Sequence, residues 1–183
     1  MEDLQQLIED CVNRNRLAEQ KLYLKFYKPL YFLCRRFFPT SNEALECLND
    51  GMLKIYSGLA KYKSAEGELF NWMYTVIRNT AIDKVRVGKK KWLTVELSEI
   101  RDFDQNFSPL QKLEWKDIYA LLDVLPPATR IVCTLFYIEG YRVKEISTRL
   151  EISSGTVKWH LSEVRMRLNP VLKNYLKRTP FET

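Results

Sequence analysis

Apolar residues return every three or four positions along most of the chain, and no stretch alternates strictly, so the pattern predicts helices and no sheet. Leu4, Leu7, Ile8, Cys11 and Val12 mark a first helix. A second runs from Leu17 to Phe38, with Leu22, Phe26, Leu30, Leu33 and Phe37 on its stripe and a bend expected near Pro29. Pro39-Thr40-Ser41-Asn42 supplies a turn and capping side chains for a third helix, Asn42 to Tyr62. After the polar loop Lys63-Ser64-Ala65-Glu66-Gly67, a fourth runs from Glu68 to Val87. Its stripe is Phe70, Met73, Ile77 and Ala81, widened by Trp72 and Val76, which assigns these aromatics to a core ahead of base stacking.

Periodicity lapses between Gly88 and Pro109, where a basic run (Lys89, Lys90, Lys91) gives way to acidic residues (Glu96, Glu99, Asp102, Asp104). This reads as a linker. Helical spacing resumes from Leu110 to Leu122, and Leu125-Pro126-Pro127 opens another helix, since proline is tolerated in a first turn. Two shorter helices and a terminal one follow, the last ending near Lys177. The expected architecture is all-α: two small helical domains, 1–88 and 110–178, joined by a flexible linker, 89–109.

Composition narrows the function. The formal net charge of +6 favours a polyanionic partner such as nucleic acid. His160 is the only histidine, which removes most His-based metal sites and catalytic triads; no Gly-rich phosphate loop is present either. No cofactor, metal site or enzymatic activity is therefore expected. Cys11, Cys34, Cys47 and Cys133 lack CxxC spacing and sit in apolar stretches, as reduced core thiols of a cytoplasmic protein do. The N-terminus MEDLQQLIED lacks the layout of an export signal, and no run reaches the roughly 18 apolar residues of a membrane span.

The segment from Val143 to Leu161 has the spacing of a helix-turn-helix. Ile146, Leu150, Ile152, Val157 and Leu161 supply the positions where two short helices pack at a steep angle. Ser153 is placed to cap the second helix, and Glu151 falls where the turn calls for a left-handed residue, at a cost of about 1 kcal/mol. Ser154, Thr156, Lys158, Trp159, His160, Ser162 and Arg165 are the DNA-contact candidates; Lys158 and Arg165 suit guanine edges or phosphates. The plainer alternative is an amphipathic hairpin with a solvated basic face. The run Ser153 to Leu161 also looks like the DNA-binding end of response-regulator activators, so a stand-alone helix-turn-helix activator is a second reading.

The N-terminal half separates these readings. Glu43 to Tyr56 resembles the polymerase-binding helix of bacterial sigma factors of the extracytoplasmic-function (ECF) group, A-x-D-L-x-Q-E-x-F-L-x-x-[WY]. Phe70 to Arg86 resembles the same group's F-x-x-W-L-x-x-I-A-x-N-x-x-x-D-x-x-R helix, and Leu125-Pro126, Arg130 and Glu139-Gly140 resemble its second domain. The resemblance implies a transcription initiation factor built from a sigma region 2 bundle and a sigma region 4 helix-turn-helix. It would bind core RNA polymerase, through the β′ and β subunits, and promoter DNA.

The polymerase-binding candidates are then Glu46, Asn49, Asp50, Leu53 and Lys54, otherwise an ordinary solvated face. The minus-10 candidates are Lys61, Tyr62, Lys63, Arg78, Asn79, Lys84 and Arg86, with the loop Lys61 to Glu68 capturing a flipped base. The helix-turn-helix would read the minus-35 element. By analogy with the group, the acidic linker would lie near the RNA exit path, and an anti-sigma protein is a candidate partner. Trp159, Glu163 and the mid-helix Gly51 depart from the group's usual residues.

Overall fold

The computed structural model describes residues 4–63, 67–88 and 115–178; of 115–118 and 172–178 it describes the backbone alone. The expected linker, 89–109, its Lys89 to Lys91 run and residues 110–114 lie outside the described residues. All regular structure among the described residues is helical, and the chain divides into two compact units, Met1–Lys84 and Val85–Thr183.

In the first unit, α1 (Leu4–Val12) leads through a turn into α2 (Arg16–Phe37). Asn15 caps α2: its Oδ1 accepts from the amides of Leu17 at 3.0 Å and Ala18 at 3.3 Å. The helix continues through Pro29. Proline cannot donate to the carbonyl of residue 25, and Lys25 and Pro29 both face solvent, where a missing donor costs little. Thr40 caps α3 (Ser41–Gly58) by accepting from the Glu43 amide at 3.2 Å. α3 ends before the expected Tyr62, in a tight turn over Leu59–Lys61, closed by the Tyr62 amide on the Leu59 carbonyl at 3.0 Å.

α4 (Leu69–Val87) runs antiparallel to α3, as three contacts along their length show. A Cβ on Gly58 would lie 3.2 Å from Trp72, and one on Gly51 would overlap the Ile77 side chain; at the far end Glu46 and Asp50 meet Lys84. The mid-helix Gly51 is thereby explained. Its propensity cost of roughly 0.5–1 kcal/mol admits Ile77 against the α3 backbone. Leu22, Leu30, Leu33, Leu48, Ile55, Met73 and Ile77 are fully buried here, each contributing about 1.5–3 kcal/mol. Phe70, Trp72 and Val76, expected on the core stripe, are only half-buried.

In the second unit α5 (Trp115–Asp123) precedes α6 (Pro127–Cys133), which has proline in its first turn as expected. α6 widens into a π-helical turn, Thr134–Ile138, and Gly140 at φ +74° redirects the chain. The helix-turn-helix follows as α7 (Val143–Leu150) and α8 (Ser154–Arg178), one continuous helix where the sequence pattern predicts a short second helix and a separate terminal one. Leu122, Leu125, Cys133 and Val164 form part of its core, with Leu168 packed against them. Arg130 is 1% exposed, and its guanidinium is bonded to the Asp123 carboxylate. All four cysteines are free and buried; burial pushes the Cys11 and Cys133 thiols up to about 11.

Candidate functional site

Three surfaces carry the candidate residues. The first is the outer face of α3. Glu46, Asn49 and Leu53 lie on successive turns and face solvent; Leu53 is 65% exposed, an apolar centre on a polar face. Asn49 Oδ1 accepts from the Tyr23 hydroxyl at 3.1 Å, which ties this face to α2. Lys54 is exposed on the same helix. Glu46 and Asp50, one turn apart, converge on one cation: Lys84 Nζ is 2.6 Å from Glu46 Oε1 and 2.7 Å from Asp50 Oδ2.

That geometry turns Lys84, a minus-10 candidate from the sequence, toward α3. Ile77, Thr80, Ala81 and Lys84 follow i, i+3, i+4, i+7 spacing, so Lys84 continues the stripe that α4 turns toward α3. Its ammonium belongs to the α3 carboxylates. Partial burial works against the charge, but the two carboxylates outweigh it and push the Lys84 pKa up.

The second surface is the opposite face of α4 with the loop before it. Asn79 and Arg86, seven residues apart, are exposed there, and Arg78 is half-buried beside them. Lys61 and Lys63 are exposed; residues 64–66 of the expected base-capturing loop lie outside the described residues. Tyr62 is fixed at both ends. Its hydroxyl donates to the Gly67 carbonyl at 2.7 Å, and its ring lies 5.5 Å from that of Trp72. Phe70 is flanked by Phe26 at 6.0 Å and Tyr74 at 6.1 Å, an aromatic group that is half-buried throughout.

The third surface is α8. Ser153 Oγ accepts from the Thr156 amide at 2.9 Å, the cap read from the sequence, and also bonds the Thr156 hydroxyl at 2.8 Å. Glu151 adopts φ 54°, ψ 44°, the left-handed turn expected at that position. The Ser147 hydroxyl closes the turn by donating to the Ile152 carbonyl at 2.6 Å. Ile146, Leu150, Val157 and Leu161 are buried between α7 and α8. Lys158, Trp159, Ser162 and Arg165 are exposed on α8; Ser154 and Thr156 are half-buried in its first turn.

His160 is not on this surface. It is 5% exposed, and its Nδ1 lies 3.0 Å from the Thr129 hydroxyl of α6. The reason is again spacing: Val157, His160, Leu161 and Val164 form the i, i+3, i+4, i+7 face that packs inward. Desolvation holds its pKa below the usual imidazole value, although the Glu163 carboxylate works the other way. Glu163, the unexpected acid of α8, is bound to Arg167 at 2.5 Å.

Residues absent from the sequence reading also take part. Tyr23 positions Asn49, Thr129 holds His160, and Tyr137 accepts from Arg165 Nε at 3.3 Å. Nothing in their local pattern marks them, because each acts across 26 residues or more. Among the described residues, no group of three or more His, Cys, Asp or Glu side chains is placed to hold a metal ion, and no helix is long and apolar enough to cross a membrane.

Comparison with known proteins matches both halves. Residues 22–91 match the Sigma-70 region 2 family model, and residues 115–168 match that of Sigma-70, region 4. The chain is 23% identical over 167 residues to the ECF RNA polymerase sigma factor SigM of Mycobacterium tuberculosis, covering 91% of this chain and 83% of that protein. It is 26% identical over 151 residues to SigM of Bacillus subtilis, also an ECF RNA polymerase sigma factor, covering 81% of this chain and 91% of that one. Among solved structures, the sigma factor RpoE of Bartonella quintana, crystallised with the anti-sigma factor NepR, aligns at 19% identity with a TM-score of 0.46, over 84% of this chain and 96% of that one.

The two family-model matches and the sigma-factor relatives define a bacterial transcription initiation factor. The chain belongs to the sigma-70 family, in its ECF group, whose members are non-enzymatic. It binds core RNA polymerase and directs promoter-specific initiation, and the stand-alone activator reading is not favoured.

Proposed function

We propose that the two units divide the work as follows. The first unit docks on core polymerase through the outer face of α3, with Leu53 at its centre and Glu46, Asn49, Asp50 and Lys54 around it. By resemblance to the ECF group, the opposing surface is the coiled coil of the β′ subunit, with the β subunit also in contact. The opposite face of α4, with Asn79, Arg78 and Arg86, and the loop residues Lys61, Tyr62 and Lys63 take the non-template strand of the minus-10 element. A base captured there is read through its exposed edges, at an unstacking cost of a few kcal/mol. The second unit reads the minus-35 element in the major groove through α8, with Lys158, Trp159, Ser162 and Arg165 outermost and Ser154 and Thr156 in the first turn. The same faces are where an anti-sigma protein would compete, and the protein would work in the cytoplasm.

The observation that carries this reading is the separation of faces across α3 and α4. Leu53 and its polar neighbours lie on α3, Asn79 and Arg86 lie on the far side of α4, and Lys84 is withdrawn between them. Leu53→Asp places a carboxylate at the centre of the docking face without touching the Lys84 cluster. It is expected to weaken co-elution with core polymerase about tenfold or more while leaving the circular dichroism spectrum unchanged. Asp50→Arg should do the same, with some loss of stability because the new cation falls beside Lys84. Wild-type binding and transcription by Leu53→Asp would refute the docking face. The promoter footprint should appear only with polymerase present, because each unit alone offers a small DNA interface.

A further inference from the structure

Trp159 stands out on α8. It is 60% exposed, yet it is not loose: its ring meets that of His160 edge-on, at 4.8 Å between centroids and an interplanar angle of 73°. His160 is itself buried and bonded to Thr129, so the indole rests on a fixed shelf. Gly155, Trp159, Ser162 and Met166, at spacings of four, three and four, form the line opposite the buried stripe, and all four are exposed. Trp159 therefore occupies the middle of the outward face, with the exposed cations Lys158 and Arg165 to one side of it.

The chemistry of an indole limits what it can read. It has an apolar edge and one donor, Nε1–H, and no acceptor. In the major groove thymine is the base whose edge carries a methyl group, and the O4 acceptor lies beside that methyl. An indole held in advance also loses little freedom on binding. We propose that Trp159 selects thymine in the upstream promoter element by packing its indole on the C5 methyl in the major groove. The inference rests on the reading of α8 as the minus-35 reader and names the base that one of its side chains recognises.

The test uses the chain reconstituted with core RNA polymerase and a promoter selected from a randomised library. Each thymine of the minus-35 element, on either strand, is replaced singly by deoxyuridine, which removes the methyl and nothing else. Affinity is expected to fall about fourfold at one or two positions, the value of one buried methyl-sized group. Trp159→Ala should bind more weakly and respond equally to thymine and deoxyuridine at those positions, while Trp159→Phe keeps part of the discrimination. Because the side chain is exposed, neither variant should lose its fold. Firm upstream binding that ignores every deoxyuridine, or a Trp159→Ala protein that still senses them, overturns the thymine readout alone. A reconstituted complex that binds no promoter overturns the initiation-factor reading beneath it.

Discussion

In α4 the inward stripe ends on Lys84; in α8 it is interrupted by His160. Both are polar side chains at apolar positions, and the two units satisfy them by opposite means. Lys84 meets two carboxylates at 2.6 and 2.7 Å and stays charged. His160 meets the Thr129 hydroxyl at 3.0 Å, and burial keeps it neutral. The ion cluster of the first unit lies at a rim, with Glu46 and Asp50 open to solvent, whereas the main ion pair of the second has its cation, Arg130, sealed inside. Charge at a rim is screened and contributes little; charge in a core is costly to disturb. The difference shows that a polar side chain on an inward stripe keeps its charge where its carboxylate partners reach solvent, and gives it up where its partner is a buried hydroxyl.

The largest effect should come from the pair with the sealed cation, Arg130, whose Asp123 partner is half exposed. Asp123→Ala withdraws the carboxylate from a guanidinium that remains buried, and urea unfolding should show a loss of about 3 kcal/mol in the second unit. A loss below that of Lys84→Met would break the comparison. Next is the close approach of α3 and α4. Gly51→Val should cost about 2 kcal/mol because Ile77 is fully buried and has little room to turn aside, with Gly51→Ala milder because the helix regains propensity. An unchanged melting temperature for Gly51→Val would show that α4 can shift.

A pH titration separates the two units directly. His160 has a depressed pKa in the folded state, so its contribution to stability is complete above the unfolded value, about 6.5, and is lost as pH falls through that value and below. The second unit should therefore weaken between pH 7 and 5, by at most about 1.4 kcal/mol per pH unit from this group. His160→Gln should flatten that part of the curve. Because the chain has a single histidine, one imidazole signal in NMR reports the titration. Lys84 has a raised pKa, so its contribution holds throughout this range and declines only as pH rises through the alkaline region. The smallest effect is expected for Lys84→Met, under about 1 kcal/mol because the carboxylates remain solvated. In the reconstituted complex it should leave the affinity for a single-stranded minus-10 oligonucleotide and its salt dependence unchanged. A flattened salt slope would return Lys84 to the DNA surface.

Much of this is legible in the sequence. Helical spacing gives the element order except for a separate terminal helix, which is the continuation of α8; the Pro39–Asn42 turn and Ser153 offer the caps, and the left-handed turn at Glu151 follows from the helix-turn-helix pattern. Lys84 and His160 turn inward for one reason. Side-chain type marks each as a DNA contact, a cation or a base-reading group, while its position in an i, i+3, i+4, i+7 set points inward. Spacing outranked chemistry in both places. Gly51 was legible only as a cost; the Ile77 side chain that occupies its open face comes from another helix, 26 positions on.

By itself, then, the sequence determined the helices, their caps, the helix-turn-helix and the family, because each depends on residues within a turn or two of one another. Only the tertiary structure decided which polar groups meet one another. That Glu46 and Asp50 close on Lys84, that Thr129 holds His160 and that His160 braces Trp159 depends on how helices pack. Packing distances between helices are set by the whole core and are written in no local pattern.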